Sequence, residues 1–120
     1  MSFKIIPSVE FLKKAKRLSK KYPSFKLDLK KFTATLEGEP RQGVEISPNV
    51  YKIRIAIKSK GRGKSGGARV ITFVETEVVE VGKVVAVHLV TVYDKSDTTN
   101  VSKNYVEQVI KVIQSRKEEE

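Results

Sequence analysis

Tyr51-Lys-Ile-Arg-Ile-Ala-Ile-Lys-Ser-Lys-Gly-Arg-Gly-Lys-Ser-Gly-Gly-Ala-Arg-Val-Ile-Thr-Phe-Val74 carries the clearest structural pattern in the chain. Its β-branched ends enclose a middle rich in glycine, at Gly61, Gly63, Gly66 and Gly67. The pattern predicts two strands, over 50–58 and 68–79, joined by a mobile, basic Gly-rich loop over 58–67. In the first strand Tyr51, Ile53, Ile55 and Ile57 alternate with Lys52, Arg54, Ala56 and Lys58, so one face is apolar and the other is mostly cationic. From Ile46 to Val74 there is no acidic residue and there are seven basic ones: Lys52, Arg54, Lys58, Lys60, Arg62, Lys64 and Arg69. A positive field beside flexible backbone suits a polyphosphate, so nucleic acid is the first partner class to consider.

Outward from this window the elements follow from periodicity. Residues 3–6 read as a short strand closed by Pro7. Ser8 can cap a helix whose inner face is Phe11, Ala15, Leu18 and Tyr22. The outer face of that helix carries Lys13, Lys14, Lys16, Arg17, Lys20 and Lys21, either a solvated surface or a docking face. Pro23 stops it. A second helix, with Phe25, Leu29, Phe32 and Leu36 inward, is capped from Ser24 and ends near Gly38. So short a link predicts a helical hairpin. Residues 38–49 carry turn formers and read as a loop. Gly82 marks a tight turn into strand 84–93, which is apolar on both faces and therefore central. Ser102 caps a last helix with Val106, Val109, Ile110 and Ile113 inward, and the charged end at 116–120 frays.

The expected order is β-α-α-β-β-β-α, in a single domain over 1–120. The fold class is α+β, with a small antiparallel sheet packed on one side by the N-terminal helical hairpin and with a short C-terminal helix. The other sheet face then presents Lys52, Arg54 and Arg69 to solvent.

The bulk numbers set limits. The chain has 120 residues, 39% of them hydrophobic, with five Phe and four Tyr, enough for one core. Its net charge of +10 favours an anionic partner, either nucleic acid or an acidic protein. With no Cys there is no disulfide, thiolate nucleophile or Cys-type zinc site. No apolar run approaches the ~20 residues of a membrane helix, and the start lacks the h-region of a signal peptide. A cytoplasmic protein without membrane contact is expected.

Several motifs dissolve on inspection. Gly61-Arg-Gly-Lys-Ser-Gly66 satisfies G-x-G-x-x-G, and Gly63-Lys-Ser65 resembles the end of a P-loop. Both motifs need a helix after the glycines, to meet phosphate with its N-terminus, whereas a strand follows here. His88, the one histidine, sits in an apolar strand and reads as structural. No metal or cofactor is expected. Glu75, Glu77 and Glu80 read as salt-bridge partners or a solvated edge. Lys52 and Arg54 differ from these: two residues apart on one strand, they point the same way about 7 Å apart. Clustered cations repel, so such a site wants an anion, and Lys52 is a candidate general base.

Gly63-Lys-Ser-Gly-Gly-Ala-Arg-Val-Ile71, followed by His88-Leu-Val-Thr-Val-Tyr-Asp-Lys-Ser96 and a capped helix, resembles the RelE/ParE toxin superfamily, and most closely its HigB-like branch. The resemblance spans nearly the whole chain. It implies a toxin of a type II toxin–antitoxin pair: a ribosome-dependent mRNA endonuclease, or mRNA interferase, that cleaves by attack of the RNA 2′-hydroxyl on the adjacent phosphate. On this reading Lys52 is the base, Arg54 a phosphate clamp, Arg69 the transition-state stabiliser and Lys95 the group near the leaving oxygen. Lys58, Lys60, Arg62 and Lys64 dock RNA or ribosome, and Tyr93 or Tyr105 contacts a base. The implied partners are a cognate antitoxin protein, mRNA and the ribosome. Two alternatives stay open: a non-enzymatic RNA- or protein-binding module, and a ParE-like toxin directed at gyrase.

Overall fold

A computed structural model of the chain describes residues 2–80, 82–97 and 100–119. Five strands and three α-helices follow in the order β1 (Ser2–Pro7), α1 (Val9–Lys21), α2 (Phe25–Leu36), β2 (Val44–Ser47), β3 (Val50–Ile55), β4 (Ala68–Val79), β5 (Gly82–Asp94) and α3 (Lys103–Glu119). They form one compact α+β fold around a single sheet, ordered β1-β5-β4-β3-β2. No helix among the described residues is long and apolar enough to cross a membrane.

The sheet is mixed, not antiparallel as expected. Strands β2 to β5 form an antiparallel meander, but β1 pairs with β5 in parallel, from Ser2↔Val84 to Pro7↔Leu89. The chain leaves β1 through two helices and returns by β2–β4 before β5 comes to lie beside it. Periodicity cannot reveal that placement, because strand direction is set by the connection.

Helices cover both faces, which corrects the one-sided arrangement. Phe11, Ala15 and Leu18 of α1 and Phe25, Phe32 and Leu36 of α2 share a core with Ile53, Ile55, Val70, Val74, Val87 and Val92. On the opposite face Val106 of α3 packs with Val50, Ile71, Phe73, Val90 and Tyr93, joined by Val109, Ile110 and Ile113. The cause lies in β5: a strand apolar on both faces must be covered twice. Each large side chain so buried stabilises the fold by roughly 2 kcal/mol.

Segment 38–49, expected to be all loop, contains β2. Ser47↔Val50 closes a two-residue turn in which Asn49 takes the left-handed conformation, φ 66°. Gly43 precedes β2 with φ 93°, and a Cβ there would lie 2.4 Å from the Lys52 carbonyl oxygen. Four residues of Val-Glu-Ile-Ser are too short to stand out as a strand in sequence.

Two caps behave differently. The Ser8 hydroxyl accepts from the Phe11 N–H (2.9 Å), as expected, and donates to the Val90 carbonyl (2.8 Å). Val90 is a bulge: β4–β5 pairing slips between Ile71↔Thr91 and Thr72↔Leu89. Ser8 therefore serves a carbonyl at the irregular point of β5. Ser24, by contrast, does not cap α2 with its side chain; its hydroxyl donates to Asp28 (2.6 Å). The Ser102 hydroxyl accepts from the Tyr105 N–H (3.1 Å) at the start of α3. That helix has 17 residues, longer than expected. Of the tail expected to fray, Glu120 lies outside the described residues.

Candidate nucleic-acid interface

Antiparallel register assembles the expected cations into rows across the sheet. Arg54 lies opposite Arg69, and Arg69 opposite Tyr93. The next row, two residues along β3, is Lys52, Ile71 and Thr91. Strand alternation sends Lys52, Arg54, Arg69 and Tyr93 to one face, with directly opposite Cβ atoms about 5 Å apart. This is the face that α3 covers over β4 and β5.

Exposure divides the row. Arg54 is exposed and Lys52 half-buried, but Arg69 retains only 4% of its surface and Tyr93 8%. Arg69 is thus not presented to solvent as expected. The Arg69 guanidinium donates to the main-chain carbonyls of Lys64 (2.9 Å), Ser65 (3.2 Å) and Ala68 (3.2 Å). Among the described residues it has no carboxylate partner. An arginine is rarely buried unless paired, because carbonyl dipoles only partly offset the lost hydration. The Tyr93 hydroxyl beside it is buried with no hydrogen-bond partner among the described residues. Burial pushes that phenol up, while the Arg69 charge pulls it down.

The loop expected to carry four docking cations is tied at its start. Lys58–Lys60 form a single 3-10 turn. The Lys58 N–H donates to Asp28 (3.0 Å) and the Ser59 N–H to the Ser24 hydroxyl (2.8 Å). Lys60 is turned inward, donating to Asp94 Oδ1 (2.6 Å) and the Ser96 hydroxyl (2.5 Å). Lys58, Arg62 and Lys64 remain exposed. At the far end the Lys95 N–H donates to the Gly67 carbonyl (3.1 Å), so Lys95 follows β5 beside the end of the loop.

Asp94 is a hub that sequence reasoning missed. It is 3% exposed, and it accepts from Lys60, from the Ser96 N–H (2.9 Å) and, in a short bond, from the Tyr22 hydroxyl. Lys21 lies 3.8 Å from its other oxygen. Burial pushes this carboxyl up, but the hydrogen bonds from Lys60, Tyr22 and Ser96 and the Lys60 charge prevail and hold it at about 2. The lysines also lie over the Tyr22 ring, at 5.4 and 5.6 Å. One usable signal was present: an acidic residue ending a long apolar strand needs a cation.

Tyr105 is not in the row. Its hydroxyl donates to Glu10 (2.7 Å) and lies 3.2 Å from the Thr91 hydroxyl, joining α3, β5 and α1. Burial first, and then Glu10, push this phenol up to about 12 against the bond to Thr91. It lines a cavity of about 360 Å³ with Lys14, Arg17, Tyr93 and Ser102. His88 also has a partner that the sequence did not reveal. Its Nε2 lies 2.8 Å from Glu75, and its ring stacks on Phe73 at 5.8 Å. The β4–β5 register makes Glu75 and His88 diagonal neighbours, so pairing the strands around Gly82 would have found them. Among the described residues no three His, Cys, Asp or Glu side chains gather as a metal site.

No protein-family model matches this chain, and no curated protein matches it.

Proposed function

We propose that the chain is a RelE/ParE-type toxin of a type II toxin–antitoxin pair, acting in the cytoplasm as a ribosome-dependent mRNA endonuclease. On this reading α1 and α2 are the family's helical hairpin. The observation that supports it best is the row Arg54–Arg69 with Lys52 alongside, in which a nearly buried arginine has no carboxylate partner among the described residues.

The chemistry asks little of the protein beyond cations. Lys52, as general base, takes the proton of the RNA 2′-hydroxyl. The 2′-oxygen forms a bond to the adjacent phosphorus, and the bond from phosphorus to the 5′-oxygen breaks. A cyclic phosphate and a 5′-hydroxyl result, the leaving oxygen receiving its proton from Lys95. Arg54 and Arg69 stabilise the extra negative charge on the pentacovalent phosphorus. Lys58, Arg62 and Lys64 attract the polyanion, and Tyr93 offers an aromatic ring for a base. An antitoxin protein would neutralise the toxin.

The test is induction in a bacterial host. Growth arrest with cut transcripts is expected, both relieved by Arg69→Ala and by Lys52→Ala. Arrest that survives both substitutions without cut RNA overturns the reading, and DNA-damage signalling in that case points to the gyrase-directed alternative. A binding module without catalysis is the second reading, favoured by the burial of Arg69. It expects salt-sensitive RNA or acidic-protein binding, intact RNA and no arrest.

A further inference from the structure

We propose that residues 61–66 form a lid over Arg69, latched by Arg69 itself and released when a phosphate oxyanion takes the place of the lid's carbonyls. The proposal rests on the anion-binding part of the reading above and is independent of cleavage.

The loop is pinned at both ends and nearly free between them. At its start the N–H groups of Lys58 and Ser59 and the Lys60 ammonium are bound to Asp28, Ser24 and Asp94. At its end Gly67 is wedged against β3, where a Cβ would lie 2.1 Å from the Ile55 carbonyl oxygen. Gly67 is also bonded through its carbonyl to the Lys95 N–H. From Gly61 to Ser65 every residue is exposed. Beyond local turn bonds, the hydrogen bonds holding 62–66 to the sheet, among the described residues, are the two from Arg69 to Lys64 and Ser65. Gly61 (φ 72°) and Gly63 (φ 61°) take left-handed conformations with open space around them, as hinge points would.

Two facts make the latch exchangeable. Its acceptors are neutral carbonyls, so only the donor carries charge, whereas phosphate oxygens add a negative charge on the acceptor and are frequently met in a bidentate way. The carbonyls released belong to exposed residues, so water satisfies them once the lid lifts. Burial also makes the lid necessary. At 4% exposure Arg69 cannot meet a phosphate held by Arg54 and Lys52 while Lys64 and Ser65 cover it.

Inorganic phosphate is the probe, read on the full chain by titration calorimetry and by the backbone NMR order parameters of 62–66. In the wild type, phosphate lowers these order parameters. Gly63→Ala penalises only the closed loop, because a Cβ there meets nothing within 4 Å and the left-handed φ alone is strained. It therefore lowers the order parameters without phosphate and tightens phosphate binding roughly fivefold. Gly61→Ala provides the same signature should the first variant fold poorly. Arg69→Ala gives low order parameters with and without phosphate, and weaker binding. The lid is overturned if phosphate binds while the order parameters of 62–66 stay unchanged, or if Gly63→Ala opens the loop with no gain in affinity. Absence of phosphate binding in every form overturns the lid together with the anion site. A chain that cleaves no RNA yet shows the full response supports the lid and removes only the nuclease reading.

Discussion

The two buried charges at the ends of the Gly-rich loop, Asp94 and Arg69, are held in opposite ways. Asp94 accepts from the Lys60 ammonium, the Tyr22 hydroxyl and the Ser96 N–H, with the Lys21 ammonium close by. Among the described residues the Arg69 guanidinium hydrogen-bonds only to main-chain carbonyls, two of them on exposed residues. A charge wrapped in permanent partners ties structure together. A charge resting on neutral, replaceable acceptors is available to a ligand. The contrast separates the part of the basic window that builds the fold from the part that can bind.

Substitution at the hub carries the largest expected effect. Asp94→Asn removes the charge that Lys60 faces and leaves that mostly buried ammonium without a counter-charge, so a loss of about 3 kcal/mol is expected in urea unfolding. A loss under ~1 kcal/mol would show that the hub is not a tie. The Lys60–Asp94 pair should give a coupling of about 2 kcal/mol in a double-mutant cycle of Lys60→Met and Asp94→Asn. The same contrast has a pH signature. The folded Asp94 carboxyl lies at about 2, below its ordinary value near 4. The stability it confers is therefore fully present above pH ~4 and is lost as pH falls toward 2, worth about 2 kcal/mol. Acid unfolding of Asp94→Asn should lack that component.

Arg69→Met is expected to change stability by less than about 1 kcal/mol, because no carboxylate is stranded and water reaches the released carbonyls. Phosphate affinity should nevertheless fall at least tenfold. A large stability loss would put Arg69 beside Asp94 as a structural charge and dissolve the comparison. Smallest of all, Arg54→Ala removes a like charge directly opposite Arg69, and unfolding should show a gain of about 0.5 kcal/mol.

Much of the molecule was legible along the chain. The inner faces of α1 and α3, the Ser8 and Ser102 caps and the long β4–β5 pair follow from local periodicity and turn chemistry. Lys52, Arg54 and Arg69 were placed on one face by alternation alone, and the β3–β4 register bears that out. Other features were hidden because they depend on partners far away in sequence. Lys60 read as one more loop cation until Asp94, 34 residues on, claimed it. His88 read as solitary until Glu75 arrived across the hairpin. Arg69 read as exposed because nothing local announces that α3 and the folded-back loop cover its face.

By itself, then, the sequence determined which residues alternate, which stretches are helical and where positive charge accumulates, since these are set by neighbours within a turn or a strand. Tertiary structure alone decided that β1 runs parallel to β5, that helices close both faces, and which cations are fixed by a carboxylate and which are left to carbonyls. Those outcomes depend on burial and pairing between distant segments. The same physics divides a uniformly basic window into a structural half, anchored at Asp94, and an exchangeable half, centred on Arg69.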